Sequence, residues 1–228
     1  MKICKDLILN DVPALGQLKG NDCVSFELTE NADIKLLFLG NSITRHGKAE
    51  NLGWYGDWGM AASAKENDYV HKLKEKFAQN GVKVSACVAN LSEWERTRDG
   101  NLFKTKYLPA LQFKADYVIV RLGENAMLDR CLHEFERSYR ELAEMFSQNG
   151  AQVVLTDLFW EYEPFDNFVA VLAKEHGYAF VKIHDLGNDD TMKASGKFSH
   201  NGVAAHPGDK GMAEIAERIY LAINKKIK

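Results

Sequence analysis

Cysteine is scarce in this chain, with four residues among 228. Cys4, Cys23, Cys87 and Cys131 lie far apart, without a CxxC pair and without a histidine at metal-ligand spacing. This pattern argues against a structural zinc site and gives no support to a disulfide framework. We expect no bound metal.

Long apolar runs and an excess of positive charge are also missing. No stretch is long enough to cross a bilayer, and the apolar run near the N-terminus is too short for a signal peptide. We therefore expect a cytoplasmic protein by default, while a secreted or periplasmic location stays open if a leader has been removed. The formal net charge is −3 and the lysines and arginines are dispersed, so nucleic acid is not the expected partner.

The composition is that of an ordinary globular domain with a sizeable core, 46% hydrophobic and 27% charged. Residues 1–33 contain only short apolar runs and predict a lead-in segment, with short strands at most. Residues 34–228 have a regular pattern and predict one domain. The oligomeric state stays open.

Short apolar runs alternate with longer amphipathic segments from residue 34 onward. We expect five strands, at residues 36–39, 82–88, 116–122, 153–156 and 179–183. We expect helices at residues 58–77, 132–148, 165–176 and 211–224, with Asp129 as a cap for the second. This alternation predicts an α/β fold, a three-layer α/β/α arrangement with a mostly parallel central sheet of about five strands.

Three chemically useful side chains fall at one edge of this predicted sheet. Ser42 follows the first strand, Asn125 follows the third, and His206 opens the last helix. Ligand sites in such sheets lie beyond the carboxyl ends of the strands. A serine is a nucleophile once a histidine removes its proton, and an asparagine amide can stabilise the resulting oxyanion. The set predicts acyl transfer.

These segments resemble the SGNH (GDSL-type) hydrolases. Residues 40–43 (Gly-Asn-Ser-Ile) are similar to the first block of that family, with Asn41 where the family has Asp. Residues 123–125 (Gly-Glu-Asn) are similar to the third block, and residues 206–207 (His-Pro) to the last. The resemblance covers residues 34–223. It implies a flavodoxin-like fold, with Ser42 as nucleophile, His206 as base and an oxyanion donor at residue 125.

The chain departs from the family pattern twice. The aspartate usually found three residues before the histidine is replaced by Val203. Asp185, Asp189, Glu161 or a backbone carbonyl are the alternatives for orienting the imidazole. The second block normally supplies a backbone N–H from a glycine, but residues 89–96 contain none. Asn90 or its neighbour is the candidate for this donor.

Trp54 lies shortly after Ser42, and Trp94 and Trp160 follow the second and fourth predicted strands. Trp54, Trp94 and Trp160 are candidates for stacking on a sugar ring, although each is also compatible with a place in the core. The chain has no GxSxG, HExxH, P-loop or GxGxxG motif, and we expect no cofactor.

The resulting hypothesis is a serine ester hydrolase that removes a small acyl group from a carbohydrate or other polar alcohol through an acyl-Ser42 intermediate. Two alternatives stay open. One is a lysophospholipase or thioesterase with the same machinery. The other is a non-catalytic binding module on the same fold, an alternative suggested by Val203.

Overall fold

The computed structural model describes residues 12–126 and 132–227, and its centre is a six-stranded sheet. The strands are β1 (Val24–Glu27), β2 (Ile34–Gly40), β3 (Val84–Asn90), β4 (Tyr117–Arg121), β5 (Gln152–Thr156) and β6 (Ala179–Val181). They lie in the order β1-β3-β2-β4-β5-β6. Every neighbouring pair is parallel except β1 with β3.

The prediction of a mostly parallel α/β sheet is confirmed, with one strand more than the five expected. The additional strand is β1, which comes from the predicted lead-in and adds an antiparallel edge. Without β1, the parallel strands follow the flavodoxin-like order 2-1-3-4-5. The first parallel strand, β2, therefore lies between β3 and β4, and the ends of these three strands meet at one place.

Helices cover both faces of the sheet. They are α1 (Tyr69–Gln79), α2 (Ser92–Thr97), α3 (Leu108–Gln112), α4 (Leu132–Gln148), α5 (Glu163–His176), α6 (His184–Gly187), α7 (Asn201–Ala204) and α8 (Asp209–Ile227). Strand β2 illustrates the layering, because alternate side chains of a strand point to opposite faces. Leu36 and Phe38 belong to the core with α1 and α8, whereas Leu37 and Leu39 belong to the core with α4 and α5.

The helix predicted at residues 58–77 is wrong in its first half, because α1 begins only at Tyr69. Asp68 caps this helix by accepting from the His71 backbone N–H, and its other oxygen accepts from the Gly59 N–H at 3.1 Å. Ala61 has a left-handed φ of 76°, which a helix does not permit. The residues before Tyr69 therefore form a loop that packs beneath the carboxyl end of β2.

The remaining elements lie close to their predicted positions. Helix α4 has the predicted bounds, and Gly177 ends α5 with a left-handed φ of 68°. The predicted cap Asp129 lies outside the described residues, as do Cys4 and Cys131. Cys23 and Cys87 are free thiols. Within the described ranges, no helix is long and apolar enough to cross a membrane, and no cluster of three or more potential ligands is arranged for a metal ion.

Candidate active site

Ser42 lies in a tight turn directly after β2. The backbone N–H groups of Thr44 and Arg45 both donate to the Asn41 carbonyl at 3.0 Å, which closes the turn. The turn requires Gly40, because a Cβ atom there would lie 1.7 Å from the Thr44 hydroxyl oxygen. The Ser42 carbonyl accepts from the Met60 N–H, so the loop before α1 supports the turn from below. This geometry leaves the Ser42 side chain partly exposed at the sheet edge.

The Ser42 hydroxyl contacts His206, which is 164 positions later in the chain. The Ser42 Oγ to His206 Nε2 distance is 2.9 Å. On the other side of the ring, His206 Nδ1 lies 2.7 Å from the Gly202 carbonyl oxygen. A carbonyl oxygen only accepts, so Nδ1 carries the proton and Nε2 accepts from the serine hydroxyl. This is the tautomer that a general base requires.

The orienting group behind His206 is thus a backbone carbonyl rather than a carboxylate. Gly202 belongs to the four-residue helix α7, whose carbonyls near its end are free to accept outside the helix. Val203 is buried among apolar side chains. The three carboxylates considered from the sequence bond elsewhere: Asp185 with Arg218, Asp189 with Thr191, and Glu161 with Asn188.

Burial controls the protonation of His206. The side chain is largely enclosed, and the ring of Trp160 meets it edge-on at a centroid distance of 5.1 Å. The pKa of His206 is lowered from 6.5 to about 4, chiefly by burial and also by the charge of Arg121, while the bond to Gly202 opposes the shift. The imidazole is therefore neutral at physiological pH.

The Asn125 amide is held between two neighbouring residues of α2. Its Nδ2 donates to Glu95 Oε2 at 2.6 Å, and its Oδ1 accepts from Arg96 Nη2 at 2.7 Å. Because a carboxylate only accepts and a guanidinium only donates, these partners determine which way the amide faces. Asn125 lines the same cavity as Ser42. The second N–H of its amide has no partner among the described residues.

Glu95 is a buried residue of this site that the sequence did not point to. Its Oε1 accepts from the Gly123 N–H at 2.5 Å and from Asn41 Nδ2 at 3.1 Å, in addition to the bond from Asn125. Burial raises the pKa of Glu95 from 4.5 to about 7, and the charge of Glu124 adds to this, against the lowering effect of its donors.

Arg121 is a second buried ionisable residue of this site. Its guanidinium forms an ion pair with Glu124 and donates to Asn41 Oδ1. The Asn41 amide also donates to Glu124 Oε2 at 2.7 Å as well as to Glu95. Asn41 therefore connects the base of the Ser42 turn to both carboxylates. The one feature of the sequence that could have indicated this cluster is that Arg121 directly follows four apolar strand residues.

Asn90 lies at the cavity wall with its backbone donor already used. Its N–H donates to the Cys23 carbonyl at 2.9 Å, at the start of the pairing between β1 and β3. Its side-chain Nδ2 donates to the Arg45 carbonyl at 2.7 Å, and its Oδ1 accepts from the Ser92 N–H. Only one N–H of the side-chain amide remains beyond these bonds.

The three tryptophans occupy different environments. Trp94 is fully buried in the core on the α4 side of the sheet, so no surface of its ring is open to a substrate. Trp54 is buried beside Trp58 and donates to the His46 carbonyl. Trp160 is half-buried and lies against His206. Position after a strand did not reveal which of these rings would face solvent.

The open space next to Ser42 is small. It is a cavity of about 270 Å³. Cavities that enclose drug-sized ligands occupy roughly 300–1,000 Å³. Its described lining residues are Ser42, His46, Leu52, Met60, Asn90, Ser92, Arg96, Asn125, His200, Gly202, Val203 and His206. The space suits a short acyl group better than a long chain.

Comparison with known proteins yields structural matches only. No protein-family model and no curated protein sequence matches the chain. The psychrotrophic esterase EstA of Pseudoalteromonas sp. superposes with a TM-score of 0.60 at 16% identity, over 86% of this chain and 99% of that one. The acetyl xylan esterase AlAXEase gives 0.57 at 17% identity, over 83% and 100%.

A third structure, from Desulfitobacterium hafniense and assigned to the G-D-S-L family of lipolytic proteins, gives a TM-score of 0.54. Its identity to this chain is 16%, over 83% of this chain and 99% of its own. The fold implied by the sequence motifs is therefore confirmed. The chain has the three-layer α/β/α fold of the GDSL-type hydrolases.

Proposed function

We propose that the protein is a serine-dependent carboxylic ester hydrolase. The observation that carries this proposal is the 2.9 Å contact between Ser42 Oγ and His206 Nε2, with the ring held from behind by the Gly202 carbonyl. The esterase names of the structural neighbours favour the same chemistry, and the Pseudoalteromonas enzyme is described as inhibited by monoethylphosphonate. No cofactor enters the proposed reaction.

The reaction proceeds in two acyl transfers. His206 Nε2 takes the Ser42 proton as Oγ attacks the ester carbonyl, and the proton then passes to the departing alcohol oxygen. Water attacks the acyl-Ser42 ester in the second half, again giving a proton to His206, which returns it to Ser42. The free acid and the resting enzyme result.

The tetrahedral intermediate of each step carries a negative oxygen that needs donors. We assign the first donor to the free N–H of the Asn125 amide, which Glu95 and Arg96 hold in one orientation. The second candidate is the remaining side-chain N–H of Asn90, because the backbone N–H of that residue is bonded to Cys23. Removing one such donor typically lowers kcat about 10²- to 10³-fold.

A small acyl group on a carbohydrate or other polar alcohol is the substrate class that we propose. The cavity of about 270 Å³ limits the acyl chain, and the acetyl xylan esterase among the structural neighbours acts on an ester of this kind by name. The main alternative is a long-chain acyl hydrolase such as a lysophospholipase or thioesterase. Hydrolysis of acetylated xylan and 4-nitrophenyl acetate, measured against 4-nitrophenyl palmitate, separates the two. Faster cleavage of the palmitate would refute the short-chain assignment.

The catalytic assignment is tested by labelling with a fluorophosphonate and measuring the intact mass. We expect a single adduct on the wild-type protein and none on Ser42→Ala. Ser195→Ala is the matched control, because Ser195 is exposed and outside the cavity. His206→Gln should reduce 4-nitrophenyl acetate hydrolysis by about 10²-fold or more. An unlabelled Ser42 would favour the alternative of a non-catalytic binding module.

A further inference from the structure

Among the residues that the structure describes, the lining of the cavity beside Ser42 includes basic side chains and no acidic one. Its described lining contains Arg96 and three histidines, at positions 46, 200 and 206, and neither an aspartate nor a glutamate. The Glu95 carboxylate contacts the Asn125 amide, but it is fully buried and accepts hydrogen bonds from Gly123, Asn41 and Asn125. A substrate in the cavity therefore meets donors and positive charge.

Arg96 is the centre of this charge. It is exposed, donates one N–H to Asn125 Oδ1 at 2.7 Å and makes a longer contact of 3.4 Å with the Ser92 carbonyl. A guanidinium has five N–H donors, so most of them remain available. No carboxylate in residues 12–126 or 132–227 lies within ion-pair distance of Arg96, in contrast to the buried Arg121.

His200 adds a second donor to the lining of the cavity. Its Nδ1 accepts from the Val203 N–H at 3.3 Å, which caps α7 and leaves the proton of the neutral ring on Nε2. Both Arg96 and His200 line the cavity. Arg96 and His200 thus offer the cavity hydrogen-bond donors that are not required by the fold.

We propose that the ester substrate carries an anionic group, such as a carboxylate or sulfate, that binds to Arg96 beside the reacting ester. The inference rests on the ester hydrolase function proposed above and narrows its substrate class. A planar guanidinium binds a carboxylate or sulfate through two parallel hydrogen bonds, a geometry that a neutral sugar hydroxyl does not reproduce. The bond from Arg96 to Asn125 places this anion subsite next to the oxyanion donor.

Two pairs of esters test the proposal and locate the charge. In the first pair, 4-nitrophenyl hydrogen glutarate is compared with 4-nitrophenyl pentanoate, and the anion is on the acyl side. In the second pair, 4-acetoxybenzoate is compared with its methyl ester, and the anion is on the alcohol side. For one pair, Arg96→Gln should lower kcat/KM of the anionic member at least about tenfold more than that of the neutral member. Arg96→Lys should restore part of the preference. Arg137→Gln, an exposed site on α4, is the matched control and should leave both ratios unchanged.

Salt gives an independent measure of the same contact. Raising the ionic strength from about 0.02 M to about 0.5 M should reduce the preference for the anionic ester, because screening weakens an exposed charge pair. Equal losses for charged and neutral esters in Arg96→Gln would overturn the proposal, since Arg96 would then act only by holding Asn125.

Binding without turnover separates this inference from the proposed reaction. The probe is 4-acetamidobenzoate, an anionic amide, titrated by calorimetry into Ser42→Ala and into Ser42→Ala/Arg96→Gln. Binding that depends on Arg96 supports the anion subsite even if wild-type protein hydrolyses neither ester pair, in which case only the hydrolase proposal fails. Hydrolysis of the esters with no anionic preference refutes the subsite and leaves the hydrolase function standing.

Discussion

Replacing Glu95 with glutamine changes one acceptor oxygen into a donor at the point where the carboxylate holds Asn125. Three donors surround the carboxylate: the Gly123 N–H, Asn41 Nδ2 and Asn125 Nδ2. A glutamine oxygen can retain the first two, but its NH₂ group then faces Asn125 Nδ2 where 2.6 Å now separates the partners. If the Asn125 amide turned over instead, its own NH₂ group would face Arg96, which only donates. No arrangement satisfies both neighbours.

The expected loss of rate follows from the oxyanion role proposed for Asn125. With its donor displaced, kcat should fall about 10²-fold with little change in KM, as for removal of one oxyanion donor. The free energy of unfolding should change only slightly. At about pH 8 the variant leaves the NH₂ groups of the new glutamine and of Asn125 facing each other without an acceptor, a cost of about 1–3 kcal/mol for an unsatisfied buried donor. It also avoids ionising a buried carboxyl whose pKa is raised from 4.5 to about 7, a cost of about 3 kcal/mol.

The two effects on stability have opposite signs, so the free energy of unfolding should change by less than about 2 kcal/mol at that pH. Because the pKa of Glu95 is raised in the folded protein, its contribution to stability is present below about pH 4.5 and is lost as the pH rises through 7. The stability of Glu95→Gln relative to wild type should therefore improve over that interval. Urea unfolding at several pH values measures this.

A double-mutant cycle decides whether Glu95 acts through Asn125. We expect Asn125→Ala and Glu95→Gln each to lower kcat for 4-nitrophenyl acetate, and the double variant to be little slower than the slower single variant. Additive losses would refute the reasoning, since Glu95 would then contribute independently of the amide it contacts. A drop in unfolding free energy far beyond the expected range would also count against it.

The remaining predictions concern protonation and backbone space. In wild type, log(kcat/KM) for a neutral ester should fall as the pH drops through about 7, where Glu95 gains a proton, and again near 4, where His206 does; Glu95→Gln should lack the first step. Trp160→Ala exposes His206 to water and should move the lower step upward toward 6.5, and an unmoved step would show that this ring does not contribute to the burial. Gly123→Ala should cost about 3 kcal/mol or more in urea unfolding, because φ is 137° and the new Cβ would lie 2.6 Å from the Phe165 ring. Gly196→Ala, with a positive φ but open space around it, is the control and should cost less.

The sequence predicted the sheet because buried parallel strands are almost wholly apolar. The apolar runs within residues 117–121 and 152–156 predict strands for this reason. The parallel arrangement then brings the ends of β2 and β4 together. That adjacency is why Ser42 and Asn125 could be expected at one edge from their order alone. The position of His206 followed from its place at the start of the last helix.

What the sequence did not reveal depends on contacts between distant segments. Glu95 looks like an ordinary exposed residue of a short helix, and only the fold shows that it points inward to Gly123 and Asn125. The orienting group of His206 is a carbonyl, and a backbone atom has no side-chain signature. The helix predicted from residue 58 failed because apolar spacing cannot register the left-handed backbone at Ala61.

The amide at residue 41 has a consequence for how this site can be altered. It gives two N–H groups to two carboxylates and accepts from a guanidinium with its oxygen, a pattern that a carboxylate at the same place cannot reproduce. An aspartate at position 41, the residue of the family pattern, would be a third acidic group around the single positive charge of Arg121. A variant that introduces this aspartate therefore requires a simultaneous change at position 95 or 124, and substitutions at these three positions are coupled to one another.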